Sequence, residues 1–164
     1  MASPVLSAQR PLREHSRTLA QATLYASGLG SEVVITYTHS AAGIRVQQLQ
    51  GFFVGWSAAP SPERHLDLLR GSYAVEVALA DESVVGFATA ISDGVLSAFI
   101  PLLEVLPEYQ HRGVGTELVR RLLAQLDQFY MVDLCCDASL EPFYSALGFR
   151  VIERGMGIRR YAAI

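Results

Sequence analysis

A long apolar strand, a glycine-containing bend and an amphipathic helix follow one another between Asp93 and Leu126. The strand runs through Leu106, and because its Pro101 has no N–H to donate, we expect a bulge or an edge position there. Helical periodicity begins at Thr116, where apolar residues recur on one stripe. A chain with this order favours a sheet that is covered by helices.

The remaining segments supply further strands and helices. We predict strands over 33–38, 131–136, 149–152 and about 158–162, a hairpin of 72–79 with 84–91, and helical segments over 44–56, 62–70 and 140–147. A hairpin that leads into alternating strands and helices predicts an α/β fold. We expect a central mixed sheet of six to seven strands with helices on both faces.

Length and composition fit one globular domain. The chain has 164 residues, 51% of them hydrophobic and 18% charged, which is far from the composition of disordered proteins. Residues 1–31 differ because they are rich in Ala, Ser and Arg. We expect them to form a loose arm or an irregular helix over 12–26, and residues 32–164 to form the domain.

Charge and hydropathy exclude several kinds of partner. The net charge of −3 argues against binding to nucleic acids, which depends on clustered cations. The longest apolar run, 95–106, is too short to cross a bilayer and contains Pro101 and Glu104. We therefore expect a soluble, cytoplasmic protein that binds neither nucleic acid nor membrane.

The residues that could hold a metal ion are scattered. The four histidines have no ligand spacing, and the adjacent Cys135 and Cys136 point to opposite faces of a predicted strand. We interpret the two cysteines as reduced packing residues, although a vicinal redox pair is an alternative. We predict no metal site.

The bend after the long strand has the features of an anion site. Gly113 and Gly115 allow successive N–H groups to point into one concavity, and the helix that follows adds its own unpaired N–H groups. Arg112 can add a cation and Thr116 a hydroxyl, so a diphosphate is the expected ligand. On the glycines alone, an ordinary strand-to-helix turn is equally compatible. The third glycine of a dinucleotide fingerprint is replaced by Leu118, and no P-loop lysine is present.

In its context this segment resembles the acyl-CoA loop of the GNAT superfamily of N-acetyltransferases, Gln/Arg-x-x-Gly-x-Gly/Ala. Residues 110–115 read Gln-His-Arg-Gly-Val-Gly and are preceded by Val-Leu-Pro at 105–107. Residues 137–149 are similar to a second motif of the family, with Asp137 where the family usually has Asn. The resemblance covers about residue 33 to the C-terminus. It implies the GNAT fold and an acetyl-CoA-dependent N-acetyltransferase.

The resemblance also implies where acetyl-CoA binds. The backbone of Leu103 to Val105 would pair with the pantetheine arm, because family members splay this strand from its neighbour, here 131–136. A backbone N–H of the same segment would polarise the thioester carbonyl. The implied acetyl-CoA-binding residues are Leu103, Val105, Gln110, His111, Arg112, Gly113, Val114, Gly115, Thr116, Asp137 and Tyr144.

Two residues are predicted to be catalytic. The family motif places Tyr144 near the departing thiolate, where a phenol can act as general acid. The competing interpretation is that Tyr144 packs a helix against the sheet with its aromatic neighbours.

Glu104 is the predicted general base, because burial inside an apolar strand would raise its pKa. Strand alternation places it on the face opposite Leu103 and Val105. A purely structural carboxylate is the alternative role, and Asp133 and Glu76 are rival bases.

The acceptor site is predicted from the first helical segments and the last strands. It would contain Phe52, Phe53 and Trp56, together with Met156, Arg159 and Tyr161. This apolar and aromatic set fits a primary amine of a small molecule. A catalytically silent acyl-CoA sensor or scaffold is the alternative function. Transfer to a tRNA terminus is disfavoured by the negative net charge, and transfer to a protein terminus by the absence of an evident acidic or basic peptide groove in the sequence. An exposed sheet edge near the C-terminus would permit a homodimer.

Overall fold

The computed structural model describes residues 33–152 and, as backbone alone, residues 20–23. These residues form one sheet of six strands whose spatial order follows the sequence. The first five strands run antiparallel to their neighbours, and the sixth runs parallel to the fifth. The strands are β1 (Ala20–Thr23), β2 (Val34–Thr38), β3 (Ala74–Ala80), β4 (Ser83–Ser92), β5 (Ser97–Val105) and β6 (Met131–Leu134).

Helices cover both faces of the sheet, as the sequence predicts. The described residues contain three α-helices, α1 (Pro62–Gly71), α2 (Val114–Gln125) and α3 (Glu141–Ala146), and 3-10 turns at Val46–Gln48, Pro107–Tyr109 and Ala138–Leu140. The apolar stripe of α2, including Leu118 and Leu122, packs on one face with Ile100. Leu69 of α1 packs on the other face with Phe87. Within the described ranges, no helix is long and apolar enough to span a membrane.

Pro101 lies at a bulge, which confirms the expectation from its missing N–H. In the β4–β5 ladder Thr89 pairs with Leu102 but Ile91 pairs with Phe99, so that Ile100 and Pro101 together oppose a single residue. The parallel pairing of β5 with β6 ends at the same place, at the pair of Ile100 with Leu134. The second half of β5 therefore continues without β6 beside it.

A buried polar group connects β3 to the second half of α2. Glu76 is only 4% exposed, and its Oε1 accepts a hydrogen bond from Gln125 Nε2 at 2.8 Å. Burial raises the pKa of Glu76 to about 7, although the nearby Arg121 lowers it. Arg121 also forms the ion pair with Glu117 that their spacing predicts, at 2.7 Å, and its guanidinium lies 4.7 Å from the Tyr37 ring centroid.

Two predicted elements are wrong, and a third is wrong where the structure describes it. Residues 44–56 form a 3-10 turn and irregular loops, because Gly51, Phe53 and Gly55 have φ of 82°, 61° and 82°, which no α-helix tolerates. Residues 149–152 form no strand. Within the proposed helix over 12–26, residues 20–23 form β1, paired with β2; the rest of that segment and the predicted strand near 158–162 lie outside the described residues.

Candidate active site

The end of β5 has a backbone edge that no strand of the described residues covers. Leu106 N–H donates to Val85 O at 2.9 Å, which fixes the residues of β5 whose backbone groups face β4. By this alternation Glu104 also faces β4, in register with Phe87. The N–H and C=O groups of Leu103 and Val105 therefore point the other way, into the gap that opens where β6 ends. Residues 135–137 follow β6 in the chain and belong to no strand.

The chain leaves β5 through a bend that leads into α2. His111 has φ of 57° and Gly113 φ of 82°, and Gly113 is the N-cap residue of α2. The first amide with a helical partner is that of Glu117, which donates to Gly113 O at 3.0 Å. The preceding N–H groups of residues 114–116 are unpaired within the helix, and left-handed residues before them turn more amides to the same side. The exposed Arg112 and Thr116 lie on this bend.

A glycine of β4 allows α2 to approach the sheet closely. A Cβ atom at Gly86 would lie 3.1 Å from both Glu104 O and the Leu118 side chain, so α2 and β5 meet at this glycine. A Cβ at Gly115 would lie 3.7 Å from Phe143 and Val105, an ordinary contact distance. Sequence reasoning missed Gly86, because nothing local distinguishes it from any other glycine within a strand.

Tyr144 lies in α3 near the end of β6. It is 8% exposed, and its ring packs edge-on against Phe143 and Phe149 with centroid distances of 4.9 and 5.7 Å. Burial, and then the nearby Cys136, raise the pKa of the Tyr144 phenol. This side chain therefore packs α3 and also keeps its proton at neutral pH. The influence of Cys136 shows that α3 lies near the residues that follow β6.

Glu104 lies on the α1 face of the sheet, opposite Leu103, as strand alternation predicts. Its Oε1 accepts a hydrogen bond from Phe53 N–H at 2.6 Å. Burial raises the pKa of the half-buried carboxyl above its ordinary value, although the N–H groups of Phe53 and Val54 act in the opposite direction. The carboxylate therefore belongs to a connection between β5 and the loop before α1.

The three residues predicted to contact the acceptor differ in their environments. Phe53 is 3% exposed and lies in an aromatic cluster with His65 and Phe87, beside the half-buried Phe52. Trp56 is 56% exposed and contacts Phe53 edge-on at 5.2 Å. It also borders an open groove of about 530 Å³, whose other lining residues are Ala58, Pro60, Arg64, Asp67 and Leu68.

The remaining predicted site residues lie in three places. Asp137 is exposed at the start of the 3-10 turn that follows β6, with no side-chain capping bond. Of the two rival bases, Glu76 lies under α2 on the opposite face from Glu104, and Asp133 is half-buried in β6. Met156, Arg159 and Tyr161 lie outside the described residues.

The uncovered edge of β5 and the bend at Gly113 are the features expected of an acyl-CoA-binding acetyltransferase. Comparison with known families agrees with this class. Residues 42–149 match the acetyltransferase (GNAT) family. The chain therefore belongs to the GNAT family of acetyltransferases.

Two solved structures share the fold. A candidate acetyltransferase from Deinococcus radiodurans R1 is 42% identical with a TM-score of 0.75, over 77% of this chain and 89% of that one. A GNAT family acetyltransferase from Streptococcus pneumoniae TIGR4 is 27% identical with a TM-score of 0.64, over 77% and 98%.

Curated relatives match over shorter stretches. The uncharacterized N-acetyltransferase ycf52 of Pyropia yezoensis is 30% identical over 101 residues, which are 58% of each chain. GCN5-related N-acetyltransferase 3, chloroplastic, of Arabidopsis thaliana is 36% identical over 78 residues, 46% of this chain and 33% of that one. The matched parts thus span about a third to three fifths of these relatives.

Proposed function

We propose that this protein transfers the acetyl group of acetyl-CoA to a primary amine of a small molecule, directly, while both are bound. One observation carries the proposal: the backbone edge at Leu103 and Val105, which no strand of the described residues covers, leads straight into the bend at Gly113 and the N-terminus of α2. A strand edge and an anion site in immediate succession match a ligand with an amide-containing arm and a diphosphate.

The residues around the gap fit the groups of acetyl-CoA. The N–H and C=O groups of Leu103 and Val105 would pair with the pantetheine amides, with Asp137 on the other side of the gap. The amides of residues 111–116 would hold the diphosphate, assisted by the Arg112 cation and the Thr116 hydroxyl. Acetyl-CoA supplies an acetyl group activated as a thioester, and a backbone N–H of the β5 edge would polarise its carbonyl.

Tyr144 is the proposed general acid. Its pKa is raised above the ordinary value, so the phenol is protonated at neutral pH, and Cys136, which lies near enough to act on that pKa, follows β6 in the chain. A neutral phenol there can donate its proton to the departing thiolate sulfur.

Glu104 is the proposed general base. An alkylammonium has a pKa of about 10, so that a proton must be removed before the amine can attack. The carboxyl has a raised pKa and lies on the α1 face of β5. The hydrogen bond from Phe53 N–H holds Glu104 Oε1 and thereby orients the carboxylate.

The acceptor is proposed to approach from the α1 face. Its apolar body would lie against Trp56, the exposed member of the aromatic cluster, and Phe52 would border its path. Phe53 would contribute through its backbone, since its ring is buried. Arg64 at the edge of the groove suits an acceptor that carries a carboxylate.

The test is a thiol-release assay with acetyl-CoA and separate panels of polyamines, amino acids, aminoglycosides and arylamines. We expect amine-dependent release of coenzyme A with one class. Calorimetric binding of coenzyme A without thiol release across all panels would instead support the alternative of a silent acyl-CoA sensor. Absence of coenzyme A binding would contradict both functions.

A further inference from the structure

A side chain of the bend already occupies one of the backbone groups that face the gap. Gln110 Nε2 donates a hydrogen bond to Val105 O at 2.9 Å. The alternation set by Leu106 N–H and Val85 O directs this same carbonyl away from β4. The proposed function, on which this inference rests, assigns Val105 O to an amide of the pantetheine arm. The Gln110 carboxamide and the pantetheine amide therefore compete for the same acceptor, Val105 O.

Two backbone hydrogen bonds in the loop over 106–110 bring Gln110 close to Val105 O. Tyr109 N–H donates to Leu106 O at 2.8 Å and Gln110 N–H to Pro107 O at 3.2 Å, which turns the chain back toward the end of β5. The carboxamide of Gln110 offers the same kind of donor as a pantetheine amide, a neutral N–H beside a carbonyl. Without it, Val105 O would have no protein partner among the described residues at a point where β6 has ended.

We propose that Gln110 is a positioning residue that substitutes for the pantetheine amide in the free protein. Its carboxamide keeps Val105 O paired and the end of β5 extended before acetyl-CoA arrives. On binding, the pantetheine arm takes over Val105 O, and the Gln110 carboxamide is released from β5. The exchange replaces one neutral hydrogen bond by another, so it weakens binding of the arm while keeping its site formed.

The test compares Gln110→Ala and Gln110→Glu with the wild type, using pantetheine and 3′-phosphoadenosine 5′-diphosphate as separate probes in NMR titrations. Neither variant can donate to Val105 O at neutral pH. We expect both to bind pantetheine about 2- to 10-fold more tightly, the effect of removing one competing hydrogen bond. Gln110→Ala should bind the diphosphate probe within about 2-fold of the wild type. The exposed Gln50→Ala is the control, with both affinities unchanged.

NMR distinguishes a Gln110 carboxamide that pantetheine displaces from one that stays bonded to Val105 O. In the wild type, the side-chain amide resonances of Gln110 should shift when pantetheine alone is added. Equal or weaker pantetheine binding by folded Gln110→Ala, or unshifted Gln110 resonances at saturation, would overturn the proposal while leaving the acetyl-CoA site in place. Failure of the wild type to bind coenzyme A at all would instead refute the proposed function, and this inference with it.

Discussion

The carboxylate of Glu104 and the backbone N–H of Phe53 lie 2.6 Å apart, although 51 residues separate them in sequence. Phe53 has a left-handed φ of 61°, a conformation that costs a non-glycine residue about 1–2 kcal/mol. The hydrogen bond and the buried ring help to hold this conformation. The loop that carries Trp56 is therefore fixed to the strand that carries the proposed site.

Glu104→Gln removes the proposed base but keeps a hydrogen-bond acceptor for Phe53 N–H. The amide oxygen can still accept the Phe53 N–H, so we expect a melting temperature close to that of the wild type. The variant cannot take a proton, so kcat should fall about 10²-fold or more. Steady-state kinetics and thermal unfolding check both, with the exposed Glu108→Gln as control. Wild-type turnover in Glu104→Gln would leave Glu104 a structural role alone.

The pH profile follows from the same carboxyl. Because burial raises the pKa of Glu104, its basic form is lost at a higher pH than for an exposed glutamate. The acidic limb of kcat against pH should therefore lie at a higher pH than an exposed glutamate would give, and it should disappear in Glu104→Gln. An unchanged limb in that variant would assign it to another group.

Tyr144→Phe removes the proposed proton donor and keeps the packing. The ring contacts with Phe143 and Phe149 need no hydroxyl, so the fold and the affinity for acetyl-CoA should be retained. We expect kcat to fall about 10²- to 10⁴-fold. Calorimetry with coenzyme A and turnover measurements give the two quantities. Tyr73→Phe, at an exposed tyrosine, is the matched control, and equal turnover in both variants would remove Tyr144 from the chemistry.

Two glycines of the bend should respond differently to alanine. Gly113→Ala forces a side chain into φ of 82°, and should destabilise the protein by about 1 kcal/mol and weaken coenzyme A binding by disturbing the bend. A Cβ at Gly115 meets atoms no nearer than 3.7 Å, so Gly115→Ala should leave both properties nearly unchanged. Denaturant unfolding and calorimetry provide the comparison. Equal coenzyme A affinity in the two variants would show that the bend does not bind the diphosphate.

Glu76→Gln tests the buried contact between β3 and α2. The pKa of Glu76 is raised from 4.5 to about 7, so the folded state holds a proton that the unfolded state releases between these values. Wild-type stability should therefore fall by about 3 kcal/mol as the pH rises through this window. The variant should lack this fall in urea unfolding, whereas the exposed Glu82→Gln should retain it. The same pH dependence in Glu76→Gln would locate the titration elsewhere.

Local chemistry explains which features the sequence could predict. The missing N–H of Pro101 predicts the bulge, and alternation along β5 places Glu104 and Leu103 on opposite faces. The loop over 44–56 could not be predicted, because its apolar spacing imitates a helix and the left-handed φ of Phe53 is held by a contact distant in sequence. The close packing at Gly86 likewise depends on α2, which crosses β4 only in the folded chain.

Amide hydrogen exchange at the end of β5, with and without saturating acetyl-CoA, tests the central claim most directly. The Leu103 and Val105 amides point into the gap, whereas Leu106 N–H already donates to Val85 O. Exchange at Leu103 and Val105 should slow about 10-fold or more on binding, and by more than at Leu106. Unchanged exchange at Leu103 and Val105, in protein shown to be saturated, would contradict the placement of acetyl-CoA in this gap.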